Sequence, residues 1–280
     1  MISKNVIHQI VEKATMIRER VLDMTSKAKS GHPGGSLSMA DIVATLYFHW
    51  LKVDPKNPAL ESRDYFVLAK GHAVPALYAA LAEKGFFPLE YLEKLRQLGS
   101  PLQGHPVKKS LPGIEMSTGS LGQGLSVMVG MGLALKLDKK ENRIYGILGD
   151  GECQEGQVWE AAMAASHYKL DNLVIFVDKN GLQIDGPTKQ VMNVDPLADK
   201  WAAFGWEVIS IDGHNVLEIV GALEKSENVK GKPTVIMAQT VKGKGVSFME
   251  HQICFHGSPC TDEQLVVAKK ELLATKGNLL

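Results

Sequence analysis

Apolar positions along this chain alternate between a three-to-four-residue period and short unbroken runs. Residues 5–28 place Ile7, Ile10, Val11, Ala14, Ile17 and Val21 on one side, the spacing of an amphipathic helix. Residues 31–38 are glycine-rich and predict a loop, and the helical period resumes over 40–51 with Ile42, Val43, Leu46 and Tyr47. Compact apolar runs at 65–68, 143–148, 173–177, 207–211 and 234–239 predict strands. Helical segments at 73–84, 89–97, 158–167, 196–204 and 216–227 fall between or beside them, and 119–124 opens a small-residue helix running to about Leu137. A last helix is expected over 262–274 with Thr261 as its cap. Repeated β-α-β order predicts an α/β fold, a parallel sheet with helices on both faces.

The 280 residues are 45% apolar and carry no linker, repeat or low-complexity stretch, so one domain over 1–280 is expected. Thirty-one basic and thirty-one acidic side chains cancel, which gives no electrostatic support for a nucleic-acid or membrane-surface partner. The first 30 residues lack the apolar core of a signal peptide, and no run reaches the roughly 20 residues needed to span a bilayer. Cys153, Cys254 and Cys260 are not spaced as a zinc knuckle and fit reduced structural thiols. A cytoplasmic location follows as the expectation.

The sharpest chemical signal lies at two strand ends. The run 144–148 stops at Gly149-Asp150-Gly151, and thirty positions on the run 173–177 is followed by Asn180. Ligands of open α/β sheets collect outside the carboxyl ends of parallel strands, so an acid and an amide one crossover apart can converge on one cation. Mg²⁺ takes few protein oxygens and completes its octahedron with phosphate and water, which implies a diphosphate beside it. Taken singly, Gly-Asp-Gly and Asp-Lys-Asn-Gly are ordinary turns; the pairing and the Glu155 that follows raise them above that. Glu155 at a helix start is electrostatically favourable whatever else it does.

Chance would give roughly one Gly-His dipeptide in a chain of this composition, yet four occur, at 31–32, 71–72, 104–105 and 213–214. Histidine suits proton transfer near neutral pH. His214 is expected only to shape the loop after its strand, and His8, His49 and His167 lie in helical stretches. The loop Gly119-Ser120-Leu121-Gly122-Gln123-Gly124 precedes a helix, but no convincing strand precedes it, which weakens a dinucleotide reading. Lys242 and Lys244 could line a phosphate entrance, although charged loop residues are usually just solvated.

These motifs, with Gly31-His32-Pro33-Gly34, Lys70-Gly71-His72, Gly104-His105-Pro106, Gly149-Asp150-Gly151-Glu152-Cys153-Gln154-Glu155-Gly156 and Phe255-His256-Gly257, give a chain that resembles the thiamine-diphosphate enzymes, and more narrowly the diphosphate-binding (PP-type) half of a transketolase. The resemblance covers nearly the whole chain. It implies thiamine diphosphate and Mg²⁺ (or another divalent cation) as cofactors, with Asp150, Asn180 and Leu182 as metal ligands. It implies cofactor contacts from His72, Gly119, Leu121, Gly149, Asp150, Gly151, Glu155, Asn180 and His256. His32, His72, His105, Glu155 and His256 are implied as catalytic, His32 and His256 in proton transfer at the donor or acceptor carbonyl, His72 and His105 at the diphosphate and the two-carbon unit's hydroxyls. Ser120 stands where single-chain transketolases commonly have proline.

The same resemblance implies a pyrimidine-binding domain on another chain. This would be the amino-terminal subunit of a split transketolase, paired with a carboxy-terminal subunit in an α2β2 heterotetramer and moving a two-carbon ketol unit between sugar phosphates. Met128, Met131 and Met163 would suit subunit packing, though core filling explains them equally well. The rivals are another thiamine-diphosphate enzyme, deoxyxylulose-phosphate-synthase-like or 2-oxo-acid-processing, and a non-catalytic cofactor-binding or regulatory subunit.

Overall fold

The computed structural model describes residues 2–277, built around β1 (Tyr65–Leu68), β2 (Ile144–Gly149), β3 (Leu173–Lys179), β6 (Glu207–Asp212) and β7 (Thr234–Gln239). They form one parallel sheet in the order β1-β2-β3-β7-β6. The runs are continuous rather than alternating because the sheet is buried on both faces. Phe66, Tyr145, Ile147, Val174, Phe176 and Ile236 enter one core with α1 (Lys4–Ala28), α3 (Ala40–Thr45), α4 (Val74–Lys84) and α9 (Val216–Asn228). Their odd-even neighbours Val67, Ile144, Leu148, Ile175, Val177 and Val235 enter the opposite core with α5 (Gln123–Leu137), α6 (Gly156–His167) and α8 (Leu197–Ala203).

The period of α1 buries Ile10, Ala14, Ile17 and Val21, and Ser3 caps its first turn through Val6 N–H. α10 (Asp262–Gly277) begins with a reciprocal cap: Thr261 Oγ1 accepts from Gln264 N–H at 3.2 Å while Gln264 Oε1 accepts from Thr261 N–H at 3.0 Å.

Residues 31–38 depart from the expected loop. α2 (Pro33–Ser38) is helical, with proline in its first turn and all six residues buried. Packing against α1, α4 and the 253–256 turn overrides the poor helix propensity of two glycines. The hairpin β4 (Leu182–Gln183) with β5 (Gly186–Pro187), and the single turn α7 (Thr188–Val191), have no counterpart in the sequence pattern. Two-residue strands carry no readable alternation.

Candidate active site

The carboxyl ends of β1, β2, β3 and β7 open onto one cavity of about 340 Å³. At its floor, the turn after β2 sets Asp150 against the turn after β3. Asp150 Oδ1 accepts from Gly151 N–H at 2.9 Å and Oδ2 from Gly181 N–H at 2.7 Å. Burial pushes the Asp150 carboxyl up to about 6 even though both of those backbone donors oppose the shift. A buried acid of this kind wants a cation. Asn180 lines the same cavity, its Oδ1 accepting from Leu182 N–H at 3.1 Å, and the Leu182 carbonyl accepts from the Lys242 ammonium at 3.2 Å. A carboxylate, an amide oxygen and a main-chain carbonyl, one of them already holding a positive charge, are the hard oxygen donors that suit Mg²⁺. Among the described residues no cluster of three or more His, Cys, Asp or Glu is arranged for a metal.

The orientation of Asn180 is chemically fixed. Its Nδ2 donates to Asp178 at 3.2 Å, and a carboxylate can only accept, so Oδ1 is the end that accepts from Leu182 N–H. Asp178 is fully buried at the end of β3 and gathers Lys70 Nζ, Ser38 Oγ (2.6 Å), Thr240 Oγ1 and Asn180. Burial alone would raise its carboxyl; Lys70, followed by the hydroxyl donors, holds it below the ordinary range. Lys70 also donates to the Gly35 carbonyl at 2.9 Å, tying α2 to the strand ends.

Glu152 joins the two glycine motifs. Its oxygens accept from Gly122 N–H at 3.0 Å and Gly149 N–H at 3.1 Å, and burial pushes its carboxyl up to about 7. The loop before α5 thereby stands over β2, and Thr118 Oγ1 fastens its other end to the Leu68 carbonyl at 2.7 Å. Gly119 has φ 144°, and a Cβ there would lie 2.9 Å from the His105 ring, so both conformation and space require glycine. Gly119 and Leu121 line the cavity together with Gly149, Gly151 and the exposed Glu155.

Three imidazoles close the upper wall. Ring centroids of His32, His72 and His256 lie 5.2, 5.6 and 5.1 Å apart, with His72 and His256 stacked. Burial first, then Arg96, lowers His32 to about 4; burial, then Lys242, lowers His256 to about 3; burial, then Lys70, lowers His72 further still. All three are neutral at physiological pH. His105 stands apart from them: it is exposed, does not line the cavity, and lies over Gly119.

Of the two lysines considered at the entrance, Lys242 is 3% exposed, within 2.9 Å of His256 Nδ1, and pushed down to about 8 by burial. Lys244 pairs with Glu250 at 3.5 Å instead. His214 does shape its loop, with Nδ1 2.8 Å from Asp41 Oδ2 and Nε2 accepting from Val241 N–H at 2.9 Å. Cys153 is buried under the motif, and burial pushes its thiol well up, so it is inert. Met128 is a core residue, while Met131 is half-buried and Met163 is 61% exposed. Lys70 and Glu152 lie inside quoted motifs but the sequence gives them no role, and Asp178 does not stand out; a charged residue closing a wholly apolar strand is the available sign for it.

The family described as the thiamine diphosphate binding domain of transketolase matches residues 9–276. The 6-deoxy-6-sulfo-D-fructose transketolase subunit SqwG of Clostridium sp. (strain MSTE9) is 50% identical over 260 residues, covering 93% of this chain and 94% of that protein. One of the subunits of the apulose-4-phosphate transketolase of Phocaeicola vulgatus is 44% identical over 255 residues, covering 91% of this chain and 90% of that protein. The crystal structure of Campylobacter jejuni transketolase superposes with a TM-score of 0.89 at 34% identity, covering 99% of this chain but 46% of that one.

Proposed function

The chain belongs to the transketolase family, as its thiamine-diphosphate-binding domain, and from that premise we propose that it is one subunit of a two-chain transketolase. The reaction would carry a two-carbon ketol unit from a ketose phosphate to an aldose phosphate. The observation that carries most weight is that Asp150, Asn180 and Leu182 line one cavity together with three clustered imidazoles, at the carboxyl ends of the parallel strands.

Asp150, Asn180 and Leu182 would hold Mg²⁺, and the metal would in turn hold the diphosphate. Gly149 and Gly151 would let the backbone approach it, and His72 and His256, which line the same cavity, would contact the cofactor. Gly119 and Leu121 would contact the rest of the cofactor. When bound, thiamine diphosphate supplies the carbon nucleophile and electron sink that ketol transfer needs. The chain's own task is to bind, orient and keep the site dry. His32 and His256 would serve proton transfer at the donor or acceptor carbonyl, and His105, outside the cavity lining, would reach the hydroxyls of the two-carbon unit. Glu155, exposed at the start of α6 and on the cavity lining, would take its catalytic and cofactor-binding role toward the partner subunit.

A carboxy-terminal subunit would cover this surface, in an α2β2 heterotetramer. The two relatives are themselves named as subunits, and the chain spans at least 90% of each, whereas it spans under half of the single-chain enzyme. α5 is apolar on most of its surface, yet Gly130, Ala134 and Leu137 are exposed on it, as is Met163 on the neighbouring α6. A helix of that composition is normally covered. No helix among the described residues is long and apolar enough to cross a membrane, and the three cysteines are free; we place the protein in the cytoplasm. The test is ketol transfer by the purified chain with and without the second subunit. Turnover is expected only with both, and full turnover by this chain alone would overturn the two-chain proposal.

A further inference from the structure

Arg96 lies outside the cavity wall, behind His32, and is held there by several features at once. Its backbone is left-handed (φ 58°), and its N–H donates to the Leu102 carbonyl at 2.8 Å. Its guanidinium donates to Ser30 Oγ at 3.0 Å and reaches His32 Nδ1 at 3.3 Å. The space it occupies exists because position 104 is glycine: a Cβ there would lie 2.8 Å from Arg96 Cζ and 2.9 Å from Nε and Nη2. The glycine of this Gly-His pair therefore makes room for an arginine on a different histidine.

A guanidinium has five donors and no acceptor. Facing it, Nδ1 of His32 must offer its lone pair, which leaves the ring proton on Nε2. We propose that Arg96 is a positioning residue that fixes His32 as its Nε2–H tautomer, so that His32 meets the sugar substrate as a hydrogen-bond donor to oxygen.

The surroundings agree. The ring sees Arg96, His105, Lys242 and the imidazoles of His72 and His256, and none of these would favour a second proton on it. Nε2 faces the 255–257 turn, 3.6 Å from where a Cβ on Gly257 would stand. His214, on another Gly-His pair, shows the opposite arrangement: a backbone N–H fills Nε2 and a carboxylate takes Nδ1–H. The fold thus sets the tautomer of each ring by what it places at one nitrogen. With Nε2 protonated and Nδ1 covered, His32 at rest has no free lone pair with which to act as a base on substrate; it stabilises negative charge developing on a carbonyl or hydroxyl oxygen.

That consequence rests on His32 touching substrate, but the tautomer itself does not. The test is long-range ¹⁵N–¹H spectroscopy of the full chain labelled at histidine, with the His32 signals identified by their loss in His32→Gln. Wild-type His32 should show an unprotonated Nδ1, a protonated Nε2 and no titration between about pH 5 and 8. Arg96→Met should give averaged tautomers and a titration midpoint that rises from about 4. Gly104→Ala keeps the arginine but displaces its guanidinium, and should reproduce the same change in a folded chain. A protonated Nδ1 in the wild type, or His32 signals unchanged in both variants, would overturn the proposal. No cofactor, partner or turnover enters the measurement, so loss of the transketolase assignment would leave its outcome readable.

Discussion

Replacing Asp178 by Asn removes one charge from the most deeply buried ion pair beneath the site and alters little else in shape. Lys70 and Asp178 side chains are 3% and 0% exposed. The ammonium would keep its bond to the Gly35 carbonyl but lose its counter-charge, and an amide placed among four donors can accept at one end only. Removing one partner of such a pair costs about 3–5 kcal/mol. Unfolding entropy of about 2.1 cal/mol/K per residue over 280 residues makes each kcal/mol worth roughly 1.7 °C, so Tm should fall by about 5–9 °C. The double variant Lys70→Met/Asp178→Asn leaves no orphaned charge, and its loss should be smaller than the sum of the single losses by about 1–3 kcal/mol. Scanning calorimetry of the full chain measures both. An Asp178→Asn chain within about 1 °C of wild type, or strictly additive losses, would refute the idea that this pair is the keystone under Asn180.

Three further outcomes are expected. Metal binding requires the Asp150 carboxylate, which burial holds near 6, so Mg²⁺-dependent cofactor affinity should weaken below pH 6 by about tenfold per pH unit, as titrations from pH 5 to 8 would reveal. His32 and His256 resist protonation down to about 4 and 3. Between those values and the unfolded value near 6.5 the unfolded chain binds more protons, so stability should fall as pH drops through that window; His32→Gln/His256→Asn should flatten the urea midpoint against pH. Glu152→Gln places an NH₂ group against either Gly122 N–H or Gly149 N–H; it should lower Tm by about 2–4 °C and loosen the 119–122 loop in hydrogen exchange, and unchanged protection there would count against Glu152 as the clasp.

Strands and long helices are legible because burial writes itself into sequence. β1 and β7 match their expected bounds, since a strand covered on both faces is an apolar run with polar ends. α1 and α9 announce themselves by period, and the last helix by its Thr261 cap. α2 is not legible: two glycines and two serines in six residues read as loop, and only its complete burial makes it a helix. Asp150 and Asn180 are marked by their spacing at two strand ends, His32, His72 and His256 by the resemblance of their motifs, and all five line one cavity. Their supports escape for the complementary reason. Asp178 meets Ser38, Lys70 and Thr240 across separations of 140, 108 and 62 residues, and nothing local marks such a meeting. Arg96 and His32, 64 residues apart, are the same case.

The central claim is that Asp150 and Asn180 jointly hold the divalent ion through which the diphosphate is bound. Calorimetric titration of the assembled two-chain enzyme with thiamine diphosphate and Mg²⁺ tests it most directly. Wild type should bind in a Mg²⁺-dependent manner, and Asp150→Ala and Asn180→Ala should each abolish that binding while the assembly stays intact. Undiminished affinity in either variant would contradict the account.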